Sequence, residues 1–143
     1  MNAPLYNADI LRLAATIPHT GRLAEPQATS EKYSPVCGSR VTVDIALDDA
    51  GRVARLGLLV NACALGQASA NLMASHAIGR DAAALAAVRN ALAAWLAGES
   101  EAAPDWPGMA VLAPARPHSG RHASIRLAFE AAAEAARLAT RAG

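Results

Sequence analysis

Val41, Val43, Ile45 and Leu47 alternate with Thr42, Asp44 and Ala46, which is the period of a strand with one face on a core. Asp48-Asp49-Ala50-Gly51 supplies turn chemistry, and Val53, Leu56, Leu58, Val60 and Ala62 describe a second strand, so the two are expected to form an antiparallel hairpin. A further short strand is expected before Pro35. Elsewhere the period is helical. Tyr6, Ile10, Leu13, Ala14 and Ile17 predict an opening helix of about three turns, stopped by Pro18. Leu65, Ala68, Leu72 and His76 form one stripe that ends at Gly79. Asp81 is placed to cap a third helix, whose apolar face is Leu85, Val88, Leu92, Trp95 and Leu96. Residues 99–117 contain Pro104, Pro107, Pro114, Pro117 and Gly108, hence a long irregular connection with Met109 to Leu112 packing locally. An Ala-rich terminal helix is expected from about Ser119 to Arg141.

The chain of 143 residues is expected to be a single domain, 1–143, able to bury a core without staples. It is 53% hydrophobic with one Phe, two Trp and two Tyr, so that core is aliphatic and suits close approach of helices. Thirteen basic against twelve acidic residues provide no broad electrostatic footprint for nucleic acid or an anionic membrane. The first residues lack the pattern of a secretion signal and no stretch reaches spanning length, so the expected location is cytoplasmic. In that compartment Cys37 and Cys63 are expected to be reduced, metal-binding or reactive, the bland alternative being two inert core thiols. No glycine-rich phosphate loop, paired-carboxylate site or serine nucleophile with a base is present, which gives hydrolase and nucleotide-dependent readings little support.

Cys63 ends the second hairpin strand and begins a helix, where unpaired backbone N–H groups and the helix dipole favour a thiolate. A hairpin turn centred near residue 50 predicts cross-strand partners whose numbers sum to about 100, as 37 and 63 do. Facing residues lie about 4.5–5.5 Å apart at Cα, so the two thiols are expected to be neighbours at one end of the sheet. Ser69 is expected to bond backbone or water, His76 to sit on a helix surface, and His19 to be a solvated loop residue.

The succession Pro35-Val36-Cys37-Gly38, hairpin, Cys63 with Ala68-Ser69-Ala70, then Pro114-Ala115-Arg116 and His122-Ala123-Ser124 resembles the iron-sulfur cluster assembly scaffolds of the IscU, SufU and NifU N-terminal type. The resemblance implies an α+β fold, a three-stranded antiparallel sheet with helices packed on it (SufE/NifU-like). The stretch between Gly98 and Pro114 is similar to an insertion of the SufU branch. It implies a site made of three cysteines and an aspartate, with a histidine beside the third cysteine in some branches. Cys37 and Cys63 match the first two cysteines and His122 matches the histidine, whereas Ser39 stands for the aspartate and Ala123 for the third cysteine. The chaperone-recognition segment Leu-Pro-Pro-Val-Lys is replaced by Leu112-Ala113-Pro114-Ala115-Arg116, so chaperone docking is not implied.

The donors left are Cys37, Cys63 and His122, a three-ligand set suited to zinc. A stable iron-sulfur cluster usually takes four protein ligands, so a cluster is expected to be held transiently. The leading expectation is a scaffold or carrier, not an enzyme, that binds iron or zinc or passes sulfur or clusters through Cys37 and Cys63. Cys63 would accept sulfur, and the partners the resemblance implies are a cysteine desulfurase and apo iron-sulfur proteins. The alternative is a metal-free adaptor or regulator of a desulfurase, for which the basic run Arg116, His118, Arg121, His122 and Arg126 offers a surface. A third, smaller reading is a zinc-dependent sulfur-transfer enzyme or a thiol reductant using the cysteine pair.

Overall fold

The computed structural model describes residues 6–142, so the reading of residues 1–5 lies outside the described residues. In chain order the elements are α1 (Ala8–Ala15), β1 (Ala28–Tyr33), β2 (Arg40–Leu47), β3 (Val53–Asn61), α2 (Ala64–His76), α3 (Ala82–Leu96) and α4 (His122–Ala142). Two 3₁₀ turns, Met109–Ala115 and Ser119–Arg121, lie between α3 and α4. The strands form one antiparallel sheet in the order β1-β2-β3. This is the α+β architecture that the residue pattern implied.

Val41, Val43 and Ile45 place one face of β2 in the core, against α4. Ala128, Ala131, Ala132, Ala135, Ala136 and Ala139 are all buried on α4, and side chains of that size let the helix lie close to the sheet. Helices α2 and α3 flank α4, and α1 packs on α2. Helix α2 departs from the single stripe expected of it, for Leu65, Ala68, Ala70, Leu72, Met73 and Ala74 are all buried. A helix with neighbours on several sides needs apolar residues around much of its circumference, and its sequence reads less amphipathic for that reason.

The ends of the helices follow from local chemistry. Asn7 accepts the N–H of Ile10 at 3.0 Å and Asp81 accepts that of Ala84 at 2.8 Å, caps worth about 1 kcal/mol each. Helix α1 is shorter than its apolar periodicity predicts. It ends at Ala15, where Asn71 of α2 donates to the carbonyls of Leu13 and Thr16 at 2.9 and 3.0 Å and so satisfies the helix terminus.

The far side of β2 is not solvent. Asp44 is fully buried there, accepting from Arg22 Nε at 2.7 Å, Arg22 Nη2 at 3.0 Å, the Leu23 N–H at 3.0 Å and the Thr29 hydroxyl at 2.5 Å. Burial pushes this carboxyl up, but hydrogen bonds from Arg22, Thr29 and Leu23, with the Arg22 charge, outweigh it and hold the group below the usual carboxylate range. Residues 19–23 are thereby laid along β3, where the Gly21 N–H donates to Leu58 O and the Leu58 N–H to His19 O. Gly57 accommodates this approach, because a Cβ there would meet Gly21 O at 2.6 Å.

The 99–117 connection is anchored more firmly than an irregular loop. Met109, Leu112 and Ala115 are buried, and Trp106 donates its indole N–H to Leu72 O at 2.8 Å. Arg116 donates to the carbonyls of Trp95 and Ser100 at 2.9 and 3.0 Å and stacks on the Trp95 ring.

Candidate functional site at the end of the sheet

The β2–β3 register differs from the simple hairpin reading by one. Arg40 faces Asn61 and Val41 faces Val60, and an irregularity at Ala46/Leu47 shifts the pairing so that Leu47 faces Val53. The ladder ends at Arg40, so Cys37 is not a cross-strand partner of Cys63. It lies instead on the turn joining β1 to β2. That turn is closed by two backbone bonds of 2.8 Å, from Gly38 N–H to Ser34 O and from Ser34 N–H to Ser39 O. Gly38 supplies the required left-handed conformation at φ 71°.

Cys63 occupies the N-cap of α2, as its position at a strand-to-helix junction predicts, and its side chain makes no capping bond. The two sulfurs are joined instead by a chain of side chains. Cys37 Sγ donates to Ser39 Oγ at 3.2 Å, Ser39 Oγ and Ser124 Oγ are 3.2 Å apart, and Ser124 Oγ lies 3.3 Å from Cys63 Sγ. Ser39 and Ser124 are buried at 3% and 1% exposure, while Cys37 is exposed and Cys63 half-buried. One thiol thus faces solvent and the other sits deeper, with two buried hydroxyls between them.

The surroundings act on Cys37. Ser34 Oγ is buried and has no hydrogen-bond partner, so its proton is available to a Cys37 thiolate. Hydrogen bonds from Ser34 and then Ser39, against a smaller opposing effect of burial, bring the Cys37 thiol down from 9.0 to about 7. Sequence reasoning attached thiolate character to Cys63, at the helix start. It missed the hydroxyls around Cys37 because their convergence depends on the turn.

Ser124 is the other residue missed. It stands within His122-Ala123-Ser124, one position beyond Ala123, and α4 carries it to the cysteine pair. The signal available was its neighbourhood in that motif. Gly66 makes the approach sterically feasible, since a Cβ there would collide with the Ser124 hydroxyl. Ser69, as expected, bonds backbone: its hydroxyl donates to Ile125 O at 2.6 Å.

His122 begins α4 and is buried, with Nε2 at 3.1 Å from Ala115 O and 2.9 Å from Arg116 O. Carbonyls only accept, so Nε2 carries the proton and Nδ1 is the nitrogen left for a metal. Among the described residues no three of His, Cys, Asp and Glu form a group able to share an ion, so Cys37, Cys63 and His122 do not stand as a ready-made triad. The basic run is also dispersed. Arg116 points into the 99–117 connection, Arg121 lies over the Tyr6 ring at 5.9 Å, and Arg126 pairs with Glu130 at 3.7 Å. No helix among the described residues is long and apolar enough to cross a membrane.

The class of the fold is α+β, helices packed on a three-stranded antiparallel sheet, with Cys37 on the β1–β2 turn and Cys63 where β3 meets α2 at one end of it. The NifU-like N terminal domain model matches residues 5–110, which include both cysteines and end before α4. A crystal structure of a nitrogen-fixing NifU-like protein (N-terminal) from Brucella abortus is similar at 39% identity over 96% of this chain and 95% of its own, with a TM-score of 0.89. The chain belongs to the NifU-like N-terminal domain family. A second solved structure, a putative iron-sulfur cluster assembly scaffold protein for the SUF system from Fervidobacterium islandicum, shares the fold with a TM-score of 0.81 at 18% identity, over 92% of this chain and 96% of its own. No curated protein matches.

Proposed function

We propose that the protein serves iron-sulfur cluster assembly as a scaffold or carrier that receives sulfur, and transiently metal or a nascent cluster, through Cys37 and Cys63. The observation that carries this reading is the hydrogen-bonded series Cys37, Ser39, Ser124, Cys63, which gathers both thiols at one end of the family fold. The cluster is cargo here. Two thiolates bind iron or zinc well, whereas neutral hydroxyls are poor ligands for such metals and Ala123 provides no electron pair. Cargo held by this chain therefore takes its remaining ligands from a partner or a free thiol. Zinc held by Cys37, Cys63 and His122 requires Nδ1 of the histidine and movement that brings the three together. A cysteine desulfurase as sulfur source and apo iron-sulfur proteins as recipients complete the reading, with action in the cytoplasm.

Anaerobic incubation with iron, a cysteine desulfurase and cysteine tests it. Expected are persulfide on the two cysteines, found by alkylation and mass spectrometry, and cluster absorption that decays on gel filtration. Unmodified cysteines together with no absorption would overturn it.

The second reading, a metal-free adaptor that occupies a desulfurase, is favoured by one observation, that Ser39 and Ala123 remove two of the family's donors. Replacing both cysteines by serine separates the two. Undiminished effect on a desulfurase supports the adaptor, and its loss supports the scaffold.

A further inference from the structure

The two thiols differ in access and are linked by hydroxyls that no role so far assigned explains. Cys37 sits on an exposed turn beside Val36, which is 85% exposed, while Cys63 is half-buried at the start of α2. A sulfur donor arriving from outside meets Cys37 first. Ser39 and Ser124 are almost fully buried, and each contacts one sulfur and the other hydroxyl, so they form a single file with a thiol at each end. Such a file can relay a proton between the two sulfurs. A hydroxyl gives one proton and takes another without changing charge.

We propose that Cys37 and Cys63 act in series, Cys37 accepting sulfane sulfur and passing it to Cys63, with Ser124 and Ser39 returning the balancing proton. This rests on the sulfur-handling reading above and assigns an order to its two cysteines. In the step, Cys63 Sγ attacks the outer sulfur of a Cys37 persulfide. A bond forms between Cys63 Sγ and that sulfur, and the bond between it and Cys37 Sγ breaks, its electron pair remaining on Cys37 Sγ. The proton of the Cys63 thiol passes to Ser124 Oγ, that of Ser124 to Ser39 Oγ, and that of Ser39 to Cys37 Sγ. The product is a Cys63 persulfide and a Cys37 thiol, with no net oxidation or reduction and both serines unchanged. The Cys37 thiol then donates to Ser39 Oγ, the direction in which that bond is made. A persulfide lengthens the Cys37 side chain by one sulfur, and nothing lies within 4 Å of where a Cβ on the left-handed Gly38 would stand, so the turn has room to bring that sulfur to Cys63.

The test uses the full chain, reduced and anaerobic, mixed with one equivalent of inorganic polysulfide, quenched with iodoacetamide over time and mapped by peptide mass spectrometry. The wild-type protein is expected to show sulfur first on Cys37 and later on Cys63. Cys63→Ser should trap it on Cys37, and Cys37→Ser should slow its appearance on Cys63 at least about tenfold. Ser124→Ala, which touches Cys63 and not Cys37, should leave arrival at Cys37 within about twofold and slow hand-off at least about tenfold; Ser39→Ala, whose hydroxyl also supports the Cys37 thiolate, is read as the hand-off rate from Cys37 already loaded, which should fall by a similar factor. Loading of Cys63 in Cys37→Ser at the wild-type rate would overturn the series order while leaving the sulfur-handling reading intact. Unchanged hand-off in both serine variants would overturn the proton relay. Sulfur on neither cysteine would overturn the parent reading as well.

Discussion

Gly66 on α2 faces Ser124 on α4 with no room between them for a side chain. The hydroxyl that bridges toward Cys63 is where it is because residue 66 lacks a Cβ, so a packing contact between two helices sets the geometry of the site. Gly66→Ala should cost about 1–3 kcal/mol through overpacking, somewhat offset by the better helix propensity of alanine. Urea unfolding checks the stability. The same variant should separate Ser124 from Cys63 and change the alkylation rate of Cys63, which Ala70→Gly, in the same helix, should not do.

Cys37 should be alkylated by iodoacetamide with a pH profile that inflects at about 7, since Ser34 and Ser39 stabilise its thiolate. Ser34→Ala and Ser39→Ala should each move the inflection upward, and Ser39→Asp further, because a carboxylate repels the thiolate. The linked effect on stability has a definite sign. The folded-state value is lowered from 9.0 to about 7, so this thiol favours the folded state fully above pH 9 and loses that contribution as pH falls through 7. Differential unfolding of wild type and Cys37→Ser across this window reads it directly.

Asp44→Ala removes the acceptor of two Arg22 bonds, the Leu23 N–H bond and the Thr29 hydroxyl bond. Arg22 is half exposed and returns to water, so the loss should be that of the half-buried neutral donors, about 1–3 kcal/mol, below the cost of stranding a buried charge. Thermal unfolding measures this. The carboxyl is held below its ordinary value, so the wild-type advantage over the variant should be present above the usual carboxylate range and disappear as pH falls through the lowered one.

Trp106→Phe keeps most of the ring but leaves Leu72 O without its indole donor. A loss of about 1–2 kcal/mol is expected, with faster proteolysis in residues 99–117 than elsewhere, because this bond pins the connection to α2. Limited proteolysis followed by mass spectrometry locates the cut.

Restoring the family's donors should restore cluster retention. Ser39→Asp combined with Ala123→Cys is expected to convert transient cluster absorption into absorption that survives gel filtration, while either change alone should do less. Visible and circular-dichroism spectra of anaerobically reconstituted protein check this. Equal lability of wild type and double variant would count against the assignment of positions 39 and 123.

Much of the fold could be read along the chain because it is set by contacts near in sequence. The alternation of Val41, Val43 and Ile45, the Asp48 turn and the Asp81 cap each depend on a few neighbouring residues, and each appears in the structure where the pattern put it. The pairing of Cys37 with Cys63 was anticipated by a register that is off by one, and the thiols are brought together by a turn and two serines instead. Patterning fails for Asp44 as well. Its alternating position predicts solvent, yet residues 19–23 fold over it.

Local periodicity and turn chemistry therefore determine the elements, their order and the cysteine at the strand-to-helix junction. Tertiary structure alone decides that Ser39 and Ser124, 85 residues apart, meet between the thiols, that His122 spends one nitrogen on two backbone carbonyls, and that the acidified thiol is Cys37. The physical reason is that hydrogen bonds and thiol acidity depend on distances of a few ångströms between side chains. Those distances are set by how α4 packs against α2 and the sheet, which no window of sequence contains.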